Sequence, residues 1–168
     1  MKVLFIGRFQ PLHKGHLKII KDASKNYNKV IIGIGSSQYS NTDENPFTDE
    51  ERKEMIYKTL KKEGIDNYRI VNIPDIHNPP KWVDHVVSIV SDFDVVLSNN
   101  DFTKKLFSEK GFKVKKTKLF EKERYSGKVI RDKIRKDEKW EDLVPEEVLR
   151  IIKNKDGIKR IKSLNLGC

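Results

Sequence analysis

The stretch "VLFIGRFQPLHKGH", residues 3–16, decides the fold that we expect of this chain. Its first four residues form a continuous apolar run, which is typical of a strand buried on both faces of a sheet. A short loop follows, and a helical pattern begins after it. Because phosphates bind at the first strand-to-helix turn of open parallel sheets, the stretch raises the question of whether His13 and His16 do chemistry there.

Five β-branched runs predict strands, at residues 2–6, 29–34, 68–73, 94–98 and 112–116. The first, second and fourth runs are nearly continuous in apolar residues, as expected of strands that are covered on both faces. Helical patterns lie between the runs over roughly the first 120 residues. This alternation predicts an α/β fold, a doubly wound parallel sheet of about five strands with helices on both faces.

Two of the helical patterns have clear apolar stripes. The stripes consist of Leu17, Ile20 and Ala23 in the first helix, and of Met55, Ile56, Thr59 and Leu60 in the second. The second helix begins with a capping-box spacing from Thr48 to Glu51 and ends at Gly64.

The C-terminal part of the chain differs from the alternating strand and helix patterns before it, because its sequence pattern is helical to the end. New helices are expected to begin at Pro145 and after Gly157. A chain of 168 residues is long enough for one domain with a core and too short for two large ones. We therefore expect a single domain, residues 1–168, with residues 126–168 as its helical C-terminal part.

The formal net charge of +10 is concentrated in one segment. Residues 104–139 hold 15 Lys or Arg and only 6 Asp or Glu. Such a segment attracts polyanions, either nucleic acid or the phosphates of a nucleotide. The same composition is also typical of the Lys- and Glu-rich surface of a heat-adapted protein.

The sequence shows no sign of export or of a membrane segment. No apolar run approaches the ~18 residues that can span a bilayer, and no basic stretch with an apolar core opens the chain. The single cysteine, Cys168, is the last residue, which excludes an intramolecular disulfide bond and agrees with a reducing compartment. We expect a cytoplasmic protein.

The loop at Gly7 to His16 has the composition of an anion site but matches neither common glycine-rich motif. It lacks the spacing of a dinucleotide-binding loop and the Gly-Lys-Ser/Thr of a P-loop. Gly15 at the helix start allows backbone N–H groups to approach an anion, and His13 and His16 can add donors. From spacing alone, both histidines could equally be capping or surface groups. No Cys, Asp or Glu lies near enough in sequence to complete a zinc site, so we predict no protein metal site.

His13-Lys14-Gly15-His16 resembles the signature of the HxGH nucleotidyltransferases, which move an AMP or CMP group from a nucleoside triphosphate. The wider set of "GRFQPLHKGH", "GIGSSQ", "NPFTDEER", "WV" and "RYSGKVIR" resembles the archaeal-type nicotinamide-nucleotide adenylyltransferases, in order over residues 1–153. The resemblance implies a Rossmann-like fold, ATP and nicotinamide mononucleotide as substrates, and Mg²⁺ entering with ATP. It also implies a homo-oligomer, commonly a hexamer.

The resemblance implies two groups of ATP-binding residues. The group after the first strand is Gly7, Arg8, Phe9, His13, Gly15 and His16, and the group at a later helix start is Ser126, Gly127, Lys128 and Arg131. His13, His16, Arg8 and Arg131 would be catalytic, the histidines at the α- and β-phosphates and the arginines at the triphosphate tail. Lys128 stands where the family usually has Thr. Without the resemblance, Ser126 could simply cap a helix with a basic face.

The resemblance also implies an acceptor pocket formed by Asp75, Asn78 and Trp82. An indole face attracts the cationic nicotinamide ring at roughly 0.5 to 2 kcal/mol, although a core or interface role suits a tryptophan equally well. Asn78 lies four residues before Trp82 where the family has three, so Pro79 takes the expected position. Asn45 and Arg52 match the family too, in either a structural or a ligand-binding role.

No nucleophile with an attached general base is evident in the sequence. The proposed reaction does not require one, because the nucleophile is the acceptor phosphate, which is already mostly ionised at pH 7. Two alternatives remain open. One is an enzyme of the same fold with another acceptor, such as nicotinate mononucleotide, phosphopantetheine or FMN. The other is a basic nucleic-acid-binding module, which we do not expect because no motif of that class is present.

Overall fold

A computed structural model describes residues 1–117 and 123–164. In this part of the chain the strands are β1 (Lys2–Gly7), β2 (Lys29–Gly35), β3 (Tyr68–Ile73), β4 (Val95–Leu97) and β5 (Lys113–Lys115). The helices are α1 (Lys14–Asn26), α2 (Asp49–Lys62), α3 (Pro79–Ile89), α4 (Asp101–Glu109), α5 (Gly127–Arg135), α6 (Glu146–Asn154) and α7 (Gly157–Leu164). A single 3₁₀ turn, Glu141–Leu143, lies between α5 and α6.

The strands form one parallel sheet in the order β3-β2-β1-β4-β5. Phe5 of β1 pairs with Ile32 of β2 on one side and with Leu97 of β4 on the other. The three runs that are most continuously apolar are therefore the three central strands, and the predicted Rossmann-like α/β fold is confirmed. All carboxyl ends of the strands lie at the same edge of the sheet, where α/β proteins bind ligands.

The two faces of the sheet bury separate apolar cores, because successive strand residues point to opposite sides. One core is formed by residues of β1, β2 and β4 with α1, α2 and the three C-terminal helices; its members include Val3, Phe5, Ile20, Met55, Leu97, Ile130, Ile134, Ile152 and Ile161. The other is formed by β1, β2 and β4 with α3 and α4; its members include Leu4, Ile31, Val83, Val86, Val96 and Phe107. The C-terminal helices thus pack on the same sheet as α1 and α2.

The capping box predicted for the second helix is present, because Thr48 and Glu51 exchange side-chain bonds with each other's backbone N–H. The predicted helical C-terminal part is confirmed as α5, α6 and α7. Two boundaries differ by one residue, because Pro145 precedes α6 rather than beginning it and Gly157 is already helical.

The amino ends of the strands are joined by charged side chains. Asp92 accepts hydrogen bonds from Lys2 Nζ at 3.1 Å and from both terminal nitrogens of Arg69. Asp94 also accepts a bond from the backbone N–H of Lys2 at 2.8 Å. This amino edge is opposite the edge at which the predicted site residues lie.

Two sequence predictions involve residues that the structure does not describe. Cys168 lies outside the described residues, and so do residues 118–122 within the basic segment. None of the described helices is long and apolar enough to cross a membrane.

Candidate active site

His13 and His16 cap helix α1 reciprocally. His13 Nδ1 accepts a hydrogen bond from the backbone N–H of His16 at 3.2 Å, and His16 Nδ1 accepts one from the backbone N–H of His13 at 3.2 Å. The two rings stack with their centroids 3.5 Å apart. Because each Nδ1 accepts a hydrogen bond, the neutral form of each ring carries its proton on Nε2. The pair therefore presents two Nε2–H donors.

The environment favours the neutral form of both rings. Burial lowers the pKa of His13 to about 4. Burial also lowers the pKa of His16 well below its ordinary value, and repulsion by His13 lowers it further. At pH 7 both side chains are uncharged in the free protein. The hydrogen bonds at Nδ1 confirm the capping interpretation of both histidines. Each Nε2–H can still donate to a ligand.

Helix α5 begins against the loop that follows β1. Ser126 caps α5, since its Oγ accepts a hydrogen bond from the backbone N–H of Val129 at 3.0 Å. Arg131 Nη1 donates to the carbonyl oxygen of Gln10 at 2.8 Å, across 121 residues of sequence. A Cβ on Gly127 would lie 2.7 Å from Arg131 Nη1 and 3.0 Å from that carbonyl oxygen. Gly127 thus allows the start of α5 to approach the loop.

Gly15 has the same function at the start of α1. A Cβ there would lie 3.0 Å from the His13 ring and 3.0 Å from Cβ of Tyr125. The ring of Tyr125 lies nearly parallel to that of His13, with centroids 6.5 Å apart. The amino ends of two helices therefore meet, and both carry unpaired backbone N–H groups and a partial positive charge.

Positive side chains surround this meeting point. Arg131 is almost fully buried, and its Nε has no hydrogen-bond partner among the described residues. Burial lowers its pKa to about 10, with repulsion by Arg8 as a second cause. Arg8 is half-exposed and lies 3.8 Å from Glu44. Lys128 is exposed in the first turn of α5, and the first turns of α1 and α5 hold no acidic residue. This arrangement of charges favours an anion.

Gly7 and Phe9 lie beneath the histidines rather than beside the helix ends. Phe9 is 1% exposed, meets Phe5 edge to face at 6.0 Å and lies 4.7 Å from His16, centroid to centroid. A Cβ on Gly7 would lie 3.1 Å from the Phe9 ring. The Phe9 side chain therefore supports His16, and Gly7 leaves space for it.

Asp75, Asn78 and Trp82 are brought together. They line a cavity of about 310 Å³ whose opposite wall is formed by Phe102, Thr103 and Leu106 of α4. Trp82 packs edge to face on Phe107 at 5.5 Å, so it belongs to the core and to the cavity wall at once. Asn78 precedes α3 and makes no side-chain cap bond.

The orientation of Asp75 is fixed by two polar residues that follow β2. Ser36 Oγ donates to Asp75 Oδ2 at 2.6 Å. Gln38 exchanges two hydrogen bonds with the backbone of Asp75, at 2.9 and 3.0 Å. Sequence reasoning quoted "GSSQ" without assigning these roles, although polar residues directly after a buried strand were a usable signal.

Gln10 was also missed. Its side chain exchanges hydrogen bonds with the backbone of Phe47 at 3.0 and 2.9 Å, which ties the first loop to the segment before α2. Arg52 is fully buried, and within the described chain it bonds only backbone carbonyls. Asn45 is buried, and its Oδ1 has no hydrogen-bond partner in the part of the chain that the structure describes.

Among residues 1–117 and 123–164, no group of three or more His, Cys, Asp or Glu side chains is placed to hold a metal ion. The candidate site therefore consists of hydrogen-bond donors and positive charges around the amino ends of α1 and α5, next to an aromatic cavity.

Comparison with known proteins identifies the family. Residues 4–143 match the cytidylyltransferase-like family. This chain belongs to the cytidylyltransferase-like family. Within that family, it is 48% identical to a protein of Methanococcus vannielii over 98% of this chain and 95% of the relative. It is 45% identical to a protein of Archaeoglobus fulgidus over 98% of each chain. Both relatives are named nicotinamide-nucleotide adenylyltransferase, so the resemblance found in the motifs is confirmed.

Solved structures share the fold of this chain. A bifunctional NMN adenylyltransferase/ADP ribose pyrophosphatase of Francisella tularensis, complexed with AMP and a Mn ion, matches with a TM-score of 0.80 at 26% identity. The match covers 98% of this chain and 52% of that one, so the chain spans about half of the bifunctional protein. A Vibrio parahaemolyticus structure that carries the name nicotinate-nucleotide adenylyltransferase shares the fold, with a TM-score of 0.64 at 14% identity over 95% of this chain and 94% of that one.

Proposed function

We propose that this protein is a nicotinamide-nucleotide adenylyltransferase. It moves AMP from ATP to the 5′-phosphate of nicotinamide mononucleotide, giving NAD and pyrophosphate, a step of NAD biosynthesis. The observation that carries the proposal is the meeting of the α1 and α5 amino ends at two neutral histidine donors, beside a cavity walled by Trp82. Curated archaeal relatives at 45–48% identity carry the name of this activity.

The donor side of the reaction is assigned to the two helix ends. His13 and His16 donate from Nε2 to the α- and β-phosphates of ATP, and the backbone N–H groups at Gly127 and Lys128 bind the outer phosphates. Arg8 and Arg131 contact the triphosphate tail, and Arg8 exchanges Glu44 for a phosphate when ATP binds. These donors stabilise the negative charge that develops on the leaving pyrophosphate.

The chemistry is a single displacement that needs no protein base. An oxygen of the mononucleotide phosphate forms a bond to the α-phosphorus of ATP, while the bond from that phosphorus to the bridging oxygen of the β-phosphate breaks. Pyrophosphate leaves with the electron pair. The nucleophile is already ionised, so the protein contributes alignment and charge stabilisation. Neutral histidines suit this task because they donate hydrogen bonds without taking up a proton.

The acceptor side is assigned to the cavity beside α3. The cationic nicotinamide ring lies against the Trp82 face, an attraction of roughly 0.5 to 2 kcal/mol. Asp75 and Asn78 provide polar groups for the ribose or the amide, and the carboxylate of Asp75 is already oriented by Ser36.

Mg²⁺ enters as part of the ATP substrate, carried by the triphosphate oxygens. One observation supports this assignment: the Francisella relative is complexed with AMP and a Mn ion. When bound, the cation neutralises charge on the phosphates.

The chain functions as one nucleotidyltransferase domain, residues 1–168, and assembles as a homo-oligomer, a hexamer on family resemblance. Light scattering on the purified protein tests the assembly: the mass of six chains is expected, and the mass of one chain would contradict it.

The decisive experiment incubates the protein with ATP, Mg²⁺ and nicotinamide mononucleotide and measures NAD and pyrophosphate. Equimolar formation of both is expected, and EDTA should abolish it. A parallel panel offers nicotinate mononucleotide, phosphopantetheine and FMN as acceptors. Faster pyrophosphate release with one of these would replace the proposed acceptor. Absence of product with every acceptor, together with salt-sensitive binding to duplex DNA, would support the nucleic-acid-binding alternative instead.

A further inference from the structure

A single buried guanidinium holds the loops at the carboxyl edge of the sheet. Arg52 lies in the first turns of α2 and is 0% exposed. It donates six hydrogen bonds of 3.0 to 3.4 Å, all to backbone carbonyl oxygens; these belong to Arg8, Gly35, Ser36, Ser37, Tyr39 and Thr48. In the described chain its partners include no carboxylate. Burial lowers its pKa to about 10, so it stays charged at pH 7.

The bonds of Arg52 fall where two strands separate. Gly7 of β1 pairs with Ile34 of β2, so Arg8 and Gly35 occupy the next position along the two chains. A single nitrogen, Arg52 Nη1, donates to the carbonyl of Arg8 at 3.1 Å and to that of Gly35 at 3.0 Å. The guanidinium therefore replaces the sheet bonding that ends at this point.

Both bonded carbonyls precede a strained turn. Phe9 has φ 53° and Ser36 has φ 49°, a left-handed conformation that is strained for a residue other than glycine. Such conformations persist only when their surroundings hold them. Because Arg52 bonds the peptide directly before each of these residues, it is the group that holds both turns.

Each turn leads to a different substrate site. After Phe9 the chain runs through Gln10 to the histidine pair, and the Phe9 ring supports His16. At the other turn, Ser36 Oγ donates to Asp75 in the acceptor cavity. One side chain, which bonds only backbone carbonyl oxygens, thus links the loop of the donor phosphates to the loop of the acceptor.

We propose that Arg52 is a positioning residue for the reaction: it fixes the distance and angle between the donor phosphates and the acceptor cavity, partly through Ser36 and Asp75. The proposal rests on the adenylyltransferase function inferred above. In-line attack requires the reacting atoms to be placed within a fraction of an ångström, and a 1 Å misplacement costs on the order of 100-fold in rate.

The test compares Arg52→Lys with Met55→Ala, which substitutes a buried apolar residue of the same helix. Lysine keeps the charge but cannot bond both strand ends in the fork geometry of a guanidinium. For Arg52→Lys we expect kcat to fall about 100-fold, with the Kd for ATP alone and for the mononucleotide alone changing less than about tenfold. Met55→Ala should lower the Tm at least as much and keep kcat within about threefold of wild type.

Two results would overturn the proposal. One is an Arg52→Lys protein with a lowered Tm and wild-type kcat; the other is a loss of kcat that only follows the unfolded fraction. If Arg52→Lys does not fold, the test uses Ser36→Ala, which removes the hydrogen bond to Asp75. A fall in kcat with an unchanged Kd for ATP supports the proposed link from Arg52 through Ser36 to Asp75, and an unchanged kcat excludes it. A wild-type protein that forms no NAD would reject the proposed function itself, which keeps the two failures distinct.

Discussion

At the scale of single residues, the histidine pair shows how a structural bond can fix a functional group. Each Nδ1 of His13 and His16 is used for a helix cap, which assigns the proton of each neutral ring to Nε2. The cap also opposes protonation, because a cationic ring would have to give up the acceptor. The side chains thus remain donors without gaining charge.

The pKa of His13 makes stability depend on pH. An unfolded histidine titrates near 6.5, whereas His13 titrates at about 4 in the folded protein, so the unfolded state binds more protons between these values. This contribution to stability is complete above pH 6.5 and is lost as the pH falls toward 4. Between pH 7 and pH 5 the unfolding free energy of the ligand-free protein should fall by about 2 kcal/mol more than that of the His13→Asn variant. Asparagine is also a good N-cap residue, but it does not titrate. Urea denaturation at both pH values measures it, and parallel losses would contradict it.

His16→Ala tests the donor role directly. It removes an Nε2–H aimed at charge that develops in the transition state, so kcat should fall by about 10² to 10³, or about 2.7 to 4 kcal/mol. Steady-state formation of NAD gives the value, and His85→Ala, whose ring contacts the carbonyl of Pro74, serves as a control. Turnover close to wild type in His16→Ala would exclude the assigned role.

At the scale of elements, the site is the contact between the starts of α1 and α5. Gly15 and Gly127 permit that contact, since a Cβ on either would meet a neighbouring side chain at 3.0 Å or less. The anion site therefore depends on the distance between two helices and not only on which donors they carry.

Gly127→Ala should separate α5 from the first loop. The new Cβ would displace Arg131 from Gln10, and we expect the KM for ATP to rise at least about tenfold, an effect on the order of 1.4 kcal/mol. The matched control is Gly35→Ala, where a Cβ meets only ordinary contacts at 3.6 Å or more. Equal KM values for the two variants would mean that this contact does not shape the ATP site.

The elements differ in how far the sequence could predict them. The strands and the α2 cap were predictable, because burial on both faces and capping leave local patterns. Helices α3 and α4 were not delimited beforehand: α3 opens with two prolines inside a segment that was interpreted as a ligand pocket.

The residues of the candidate site also differ in how far the sequence could predict them. His13, His16 and Ser126 act through residues three positions away, so their spacing was informative. The bond from Arg131 to Gln10 joins distant parts of the chain and left no local signal. The burial of Arg52 was predictable in part, because Met55 and Ile56 of the buried stripe follow it at helical spacing, three and four residues later. Its charge, however, is typical of an exposed position.

At the scale of the whole molecule, strand order places every part of the site at one edge. The loops after β1, β2 and β3 supply the histidines, the Ser36 segment and Asp75, and the start of α5 joins them across the chain. Substrate binding should therefore stabilise the molecule as a unit.

MgATP at about 100 times its Kd should add roughly 2.7 kcal/mol to the free energy of unfolding, because it binds only the folded state. For a chain of this length that corresponds to a rise in Tm of about 5 to 11 °C. Differential scanning calorimetry measures the rise, and Gly127→Ala should show a smaller one at the same concentration. A wild-type shift below about 1 °C would contradict a preformed ATP site.

The amino edge of the sheet has a practical consequence. Met1 is exposed, and the chain enters β1 where Lys2, Arg69 and Asp92 are linked, at the opposite end of the strands from the loops that follow β1, β2 and β3. A tether attached at this edge should hold the molecule on a solid support with those loops turned toward the solution. The fold thus provides a handle for an immobilised catalyst that needs no redesign of the loops.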